Sequence, residues 1–305
     1  DGRPIAEAGA LDAIDARPEN EPVSFAFDVT TGPRYRVADV AIRPPNAQTS
    51  LPGIDRARLG LSPGDPADAT AILEAQDKLL TELRKQGYAL ASIKRDVVVN
   101  HATREATVTF IAETGPLARM GPVRFSGSDK VDMVWLQRRV PFSEGEPYDP
   151  AKVEAMRGKL TSLGVFNAVR IKPATALDAN GELPFDVELT DRPSRSIGFG
   201  VSYETQLGFA VSGFWTHRNL FGQAESLRLT AELTHLGQGY AILDTGFAFR
   251  AAFRKPDWWL AGQDARLEAA GLREVLDAYT RNAVTAYAGF DRTFSPRWQA
   301  RLGIA

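Results

Sequence analysis

A chain of 305 residues is long enough for two or three ordinary domains, and 36 basic residues against 38 acidic ones leave no basic excess for binding nucleic acid. The absence of cysteine excludes thiol catalysis, a disulfide framework and a thiolate zinc site. The three histidines, His101, His217 and His235, stand far apart with no ligand spacing, and no apolar run approaches the ~18 to 20 residues of a membrane-spanning helix.

The first 192 residues mix helical and strand patterns and contain a repeat. Thr31-Gly32-Pro33 recurs as Thr114-Gly115-Pro116, an offset of 114 − 31 = 83. Each follows a strand pattern, Val23 to Val29 and Ala106 to Ala112, and each precedes another, Tyr35 to Ile42 and Val123 to Ser126. Gly64-Asp65-Pro66 recurs as Gly145-Glu146-Pro147. Asp68 and Asp149 then stand where helix N-caps belong, and Pro150 suits a first helical position.

The helix after Asp68 carries Ile72, Ala75, Leu79 and Leu83 as one apolar stripe, and the helix after Asp149 carries Val153, Met156, Leu160 and Leu163. Gly87 and Gly164 stop them. Trp135, with Val131, Val134 and Leu136, reads as the core of a short helix, and a closing strand, Phe185 to Leu189, ends at Asp191-Arg192-Pro193. One unit is therefore strand, short helix, longer helix, strand, strand, with a small sheet covered by helices on one face. Gly2-Arg3-Pro4-Ile5-Ala6 matches Gly87-Tyr88-Ala89-Leu90-Ala91, so the chain is expected to open inside an earlier unit. The expected boundaries are 1–33 for the end of a first repeat, 34–116 for a second and 117–193 for a third.

From residue 194 to 305 the pattern is almost purely period two, read as about seven antiparallel strands. Ile197, Phe199, Val201 and Tyr203 alternate with Gly198, Gly200 and Ser202. Leu227, Leu229, Ala231 and Leu233 oppose Arg228 and Glu232; Leu243, Phe247, Phe249 and Phe253 oppose Asp244 and Arg250. Strands near Ala261 to Gly271 and Tyr279 to Phe290 alternate less cleanly, and Trp298 to Ile304 closes the series. The strand lengths and a charged face that also holds Arg266 and Glu268 suggest a membrane barrel with a wet lumen. Trp215, Phe221, Trp258, Trp259, Phe294 and Trp298 gather at alternate turns, as an aromatic girdle at one interface does; because the first strand leaves the repeats, those turns should face the periplasm.

This order of parts resembles the outer-membrane assembly superfamily, whose members carry polypeptide-transport-associated (POTRA) repeats before a C-terminal barrel. The resemblance rests on Gly87-Tyr88, on Arg95-Asp96-Val97-Val98-Val99-Asn100-His101-Ala102-Thr103, on Thr114-Gly115-Pro116 and on Arg218-Asn219-Leu220-Phe221-Gly222, in that order and spacing. These strings look most like the TamA branch, the barrel subunit of the translocation and assembly module. The implied fold class is α+β repeats followed by the N-terminal part of an antiparallel transmembrane barrel.

The implied function is folding and inserting other β-barrel proteins, autotransporters included, into the bacterial outer membrane. The resemblance implies no enzyme and no cofactor or metal. Its implied partners are unfolded clients, outer-membrane lipid and a periplasmic TamB-like protein, but not nucleic acid. A central BamA-like assembly factor and a two-partner secretion transporter share the same order of parts.

Two client surfaces are expected. The first barrel strand, Ile197, Gly198, Phe199, Gly200, Val201, Ser202 and Tyr203, would form a lateral gate, with its glycines either weakening the seam or admitting a bulky neighbour. By analogy with the family, the repeats' edge strands, through Ile93, Arg95, Val97 and Val99 and through Val165, Val169 and Ile171, would hold extended clients. Arg218 to Gly222 is expected to be turn chemistry rather than a contact site.

Overall fold

The computed structural model describes residues 33–46, 48–205, 208–236, 245–276, 279–295 and 297–305. The expected first-repeat segment, 1–33, lies outside them but for Pro33, as do Leu243, Asp244 and the turn around Gln238.

Two repeats follow one another. The first described runs β1 (Arg36–Arg43), a 3-10 turn (Arg56–Leu59), α1 (Ala69–Lys85), β2 (Ser92–Asn100) and β3 (Glu105–Glu113). The next runs β4 (Arg119–Ser126), α2 (Met133–Gln137), α3 (Pro150–Ser162), β5 (Phe166–Pro173) and β6 (Glu182–Asp191). In each, the last strand sits in the middle of three, parallel to the first and antiparallel to the second, giving the orders β1-β3-β2 and β4-β6-β5.

The repeat is exact down to single hydrogen bonds. Val37 N donates to Asp65 O at 2.8 Å and Met120 N to Glu146 O at 2.7 Å. The Arg36 and Arg119 guanidiniums donate to Gly64 O and Gly145 O, both at 2.8 Å. Helix starts follow the capping rule. Asp68 accepts from Thr70 N at 3.1 Å, Asp149 from Ala151 N at 2.8 Å, and Asp132 from Val134 N at 2.8 Å. Gly87 (φ 98°) and Gly164 (φ 72°) take the left-handed conformation that ends a helix. The expected stripes lie inside: Ile72, Ala75 and Leu79 in one cluster with Leu83 in a smaller one beside Ala91 and Ala112, and Met156, Leu160 and Leu163 in the core of the next repeat.

Seven strands then form one antiparallel sheet in chain order: β7 (Arg195–Glu204), β8 (Gly208–Arg218), β9 (Ser226–Leu236), β10 (Gly246–Lys255), β11 (Gln263–Leu276), β12 (Tyr279–Ser295) and β13 (Trp298–Ile304). The two strands that alternate least cleanly in sequence are the longest, at 14 and 17 residues. The register builds two unlike faces. Across one run Ile197, Trp215, Leu229, Ala251, Ala269 and Ala286. Across the other run Ser196, Thr216, Arg228, Ala252, Glu268 and Tyr287. On the polar face Arg254 donates to Asp264 at 2.8 Å, and Asp291 holds Arg301 at 2.7 Å beside Arg266.

Ile197, Phe199, Val201, Val284, Leu302 and Ile304 stand out from the apolar face, each more than half exposed. Burying one such side chain is worth roughly 1.5–3 kcal/mol, so holding all six in water would cost on the order of 10 kcal/mol, as much as a whole domain's stability. Lipid removes that cost. Among the described residues no helix is long and apolar enough to cross a membrane; crossing falls to the strands.

Candidate functional site

β7 is one of the two edge strands of the sheet, β13 being the other, and pairs with β8 alone among the described residues. Its odd positions, Ile197, Phe199, Val201 and Tyr203, project from the apolar face, with Phe199 79% exposed. Gly198 and Gly200 face the polar side. A Cβ on Gly198 would overlap the Phe214 ring, and one on Gly200 would meet Ser212 Oγ at 3.0 Å. The Phe214 ring in turn carries the Arg228 guanidinium 4.2 Å from its centre. Of the two expectations for Gly198, the structure therefore supplies a packing reason: the glycine seats a ring from β8. This binds β7 to β8 and leaves the other edge of β7 untouched.

Each repeat's sheet has two edge strands, and the expected client edges are β2 and β5. Ile93, Arg95, Val97 and Val99 lie on β2, whose outer edge is unpaired in the described sheet. Arg95 donates to Gln76 of α1 at 3.0 Å, which turns this row of side chains toward the helix. Val97, Val98 and Val99 are all exposed. Val169 and Ile171 lie on β5. Val165 does not: it precedes the strand, is buried, and its carbonyl accepts from Arg192 N at 2.8 Å. It belongs to the core because the chain leaving Gly164 must turn inward before it can pair.

The aromatic residues collect at the sheet end nearest the repeats. Trp258 stacks on Trp259 at 4.7 Å and on Phe290 at 5.1 Å. Trp215 lies 5.8 Å from His217, Arg292 covers Phe294 at 5.0 Å, and Phe221 and Trp298 stand exposed.

At that end the third repeat meets the barrel. Asp132 N donates to Gly222 O at 2.9 Å, and Asn219 Nδ2 donates to Lys130 O at 2.5 Å. Asn219 Oδ1 also accepts from Ala224 N at 2.9 Å. Ala224, at φ 59° and 4% exposed, lies inside the third repeat's hydrophobic core. The fully buried Glu225 closes the turn. It accepts from Phe221 N at 3.2 Å and Gln223 N at 3.0 Å, and it holds Lys255 Nζ at 3.2 Å. The Arg218 to Gly222 turn is therefore a contact site as well as a turn.

A second turn also reaches the repeat. Arg139, just past α2, donates through Nε to Asp257 Oδ2 at 2.7 Å and through Nη1 to Trp135 O at 2.8 Å, while its guanidinium lies 3.2 Å from the Trp135 ring centre. Burial pushes the Arg139 pKa down, and the Asp257 carboxylate opposes that shift. The sequence gives no hint of this pair, whose members lie 118 residues apart. Glu225, by contrast, carried a signal, as an acidic residue closing an Asn-Leu-Phe-Gly turn.

Residues 118–190 match the POTRA family, described as a surface antigen variable number repeat. The chain is 22% identical over 233 residues to the outer membrane protein assembly factor BamA of Neorickettsia risticii, a match covering 76% of this chain and 31% of that protein. It is 24% identical over 293 residues to BamA of Nitratidesulfovibrio vulgaris, covering 90% and 34%. The chain thus spans about a third of the length of the curated relatives it matches. Its fold is similar to that of BamA from Haemophilus ducreyi lacking POTRA domains 1–3, with a TM-score of 0.67 at 17% identity over 88% of this chain and 50% of that one. Residues 118–190 are thus matched as a POTRA repeat, and over most of its length the chain is similar to outer membrane assembly factors named BamA, one of which has a similar fold.

Proposed function

We propose that this chain is part of an assembly factor that folds and inserts β-barrel clients, autotransporters among them, into the bacterial outer membrane, with its repeats in the periplasm. The observation that carries the reading is an amphipathic strand sheet, with large apolar side chains exposed on one face, joined directly to repeats whose edge strands are open among the described residues. An unpaired strand edge in lipid costs several kcal/mol for each lone backbone group, so in a complete barrel β7 closes against the last strand, and a seam that opens there needs a substitute partner. A client strand that adds to β7 satisfies those groups, and alternate side chains of both strands then share the lipid face. The work is done by strand pairing and needs neither a catalytic group nor a cofactor.

The names of the matched relatives favour a BamA-like central factor; the sequence strings favour the TamA branch, and a periplasmic TamB-like partner accompanies only that second reading. Cysteines walked along β7 from Ile197 to Tyr203 in the full-length protein, each paired with a cysteine on a client's terminal strand, should crosslink during assembly with alternating efficiency. A walk that yields no crosslink anywhere on β7 overturns the proposal. Affinity capture of the same protein from envelopes separates the two branches by whether a TamB-like protein comes with it.

A further inference from the structure

The third repeat touches the barrel through few groups, and the two members of its ion pair each keep further partners in their own body. Asp257 uses Oδ2 for Arg139 but Oδ1 for Gly262 N, inside its own turn. Arg139 keeps the Trp135 carbonyl and ring whether or not Asp257 is near. Glu225 likewise satisfies its turn from within the barrel, through Phe221, Gln223 and Lys255. Parting the two bodies would unfold neither turn.

The contact is also partial. A cleft lined by Lys130, Asp191, Ser194 and Asn219 runs into it, and Asp191 Oδ1, buried there, has no hydrogen-bond partner among the described residues. Against this, the Arg139 and Asp257 side chains are only 11% and 20% exposed, so their attraction is poorly screened. Ala224 is held at a positive φ, a conformation that a non-glycine residue keeps only when its surroundings enforce it.

We propose that Arg139 and Asp257 form a separable latch that holds the third repeat docked on the first two repeat-side turns of the barrel, with Ala224 as its apolar peg. The docked state fixes the Pro193-Ser194 link into β7, where Arg218 N already donates to Ser194 O at 2.6 Å. Removing the Arg139 charge leaves Asp257 partly buried without its cation, while the peg, the Asp132 N to Gly222 O hydrogen bond and the Asn219 to Lys130 hydrogen bond are too few to keep the bodies together. The latch concerns the joint alone and does not depend on which client the barrel serves.

The test is a pulsed EPR distance between spin labels at Asp186, on the third repeat, and Val284, on the barrel, in the full-length protein in lipid nanodiscs. The native pair should give one narrow distance. Arg139→Gln should lower the docked-to-undocked ratio by about tenfold or more, giving a second, broader population. Asp257→Asn, which removes the charge but keeps an acceptor for Gly262 N, should give the same second population. Heat-modifiable gel migration shows whether each variant's barrel has folded. A folded Arg139→Gln protein with the native distribution overturns the latch, and so does a native protein already spread over many distances.

Discussion

The second and third repeats share a frame yet differ in their edge strands and their cores. β5 is guarded. Arg170 and Lys172 stand exposed along it, Pro173 ends it without a backbone donor, and its pairing with β6 is interrupted between Phe166 and Ala168. Charge, proline and a bulge are the devices that stop an edge from recruiting further strands. β2 carries Lys94, Arg95 and Asp96 in its first half only; Val97, Val98 and Val99 follow, and its pairing with β3 is unbroken. An unbroken edge rich in β-branched residues is suited to β-augmentation. The comparison teaches that repetition of a fold need not repeat the character of its edges: of β2 and β5, β2 is the one whose backbone and side chains suit an added strand.

The cores differ by transposition. β3 places Val108 and Phe110 in the core, while β6 places Phe185 and Val187 at the matching positions, opposite Val123 and Phe125 where β3 faces Val40 and Ile42. Volume is conserved while shape is exchanged. Phe110→Ala and Phe185→Ala should each cost about 3–5 kcal/mol in urea unfolding. The exchange Phe185→Val with Val187→Phe should cost only about 1–3 kcal/mol, because volume is kept and packing alone is lost. An exchange as damaging as the truncation would mean that the two cores are not variants of one design. The third repeat should also pass its loss to its neighbours, since Ala89 of the second repeat and Ala224 of the barrel lie in its core.

The edges can be exchanged too. Val97→Lys with Val98→Lys should reduce client crosslinking to β2 by about tenfold, at a stability cost within about 0.5 kcal/mol for these exposed positions. The converse, Lys172→Val with Pro173→Val, should raise crosslinking to β5 by only a few-fold, because the Phe166/Ala168 irregularity remains. Equal crosslinking to both native edges would break the contrast.

What the sequence made legible follows from range. The helix caps at Asp68 and Asp149, the glycine stops and the apolar stripes are local, and local chemistry is enough to place them. The ends of β7 and β13 fell at the expected residues because a sheet with one apolar face spells itself out in period two. Less could be read where tertiary contact decides. Val165, after a helix-ending glycine, carries the local signal of a strand, yet the core claims it. The Asn219 turn reads from sequence as turn chemistry and interface anchoring, and its docking on Lys130 is hidden because it spans 89 residues. Gly198 left two meanings open, and only the Phe214 ring chooses between them.

The smallest expected effect is a pH dependence belonging to the third repeat. Lys172 Nζ bonds Glu188 at 2.6 Å and lowers its pKa; Lys152, through its hydrogen bond, does the same to Glu146, helped by Ser143 N at 3.1 Å. A carboxylate whose pKa is lower folded than unfolded adds stability above its unfolded value, about 4.3 for glutamate, and loses it as the pH falls through the folded value. Both groups are exposed, so the contribution is small and shrinks further in salt. Unfolding of the third repeat should therefore become easier as the pH falls below about 4.3, and Glu146→Gln with Glu188→Gln should flatten that part of the profile while lowering the neutral-pH plateau slightly. Urea midpoints between pH 3 and pH 7, followed by a probe in the third repeat, measure it; a double variant with the native slope would show that the lysine partners contribute nothing, and that the charges on β5 serve only to guard its edge.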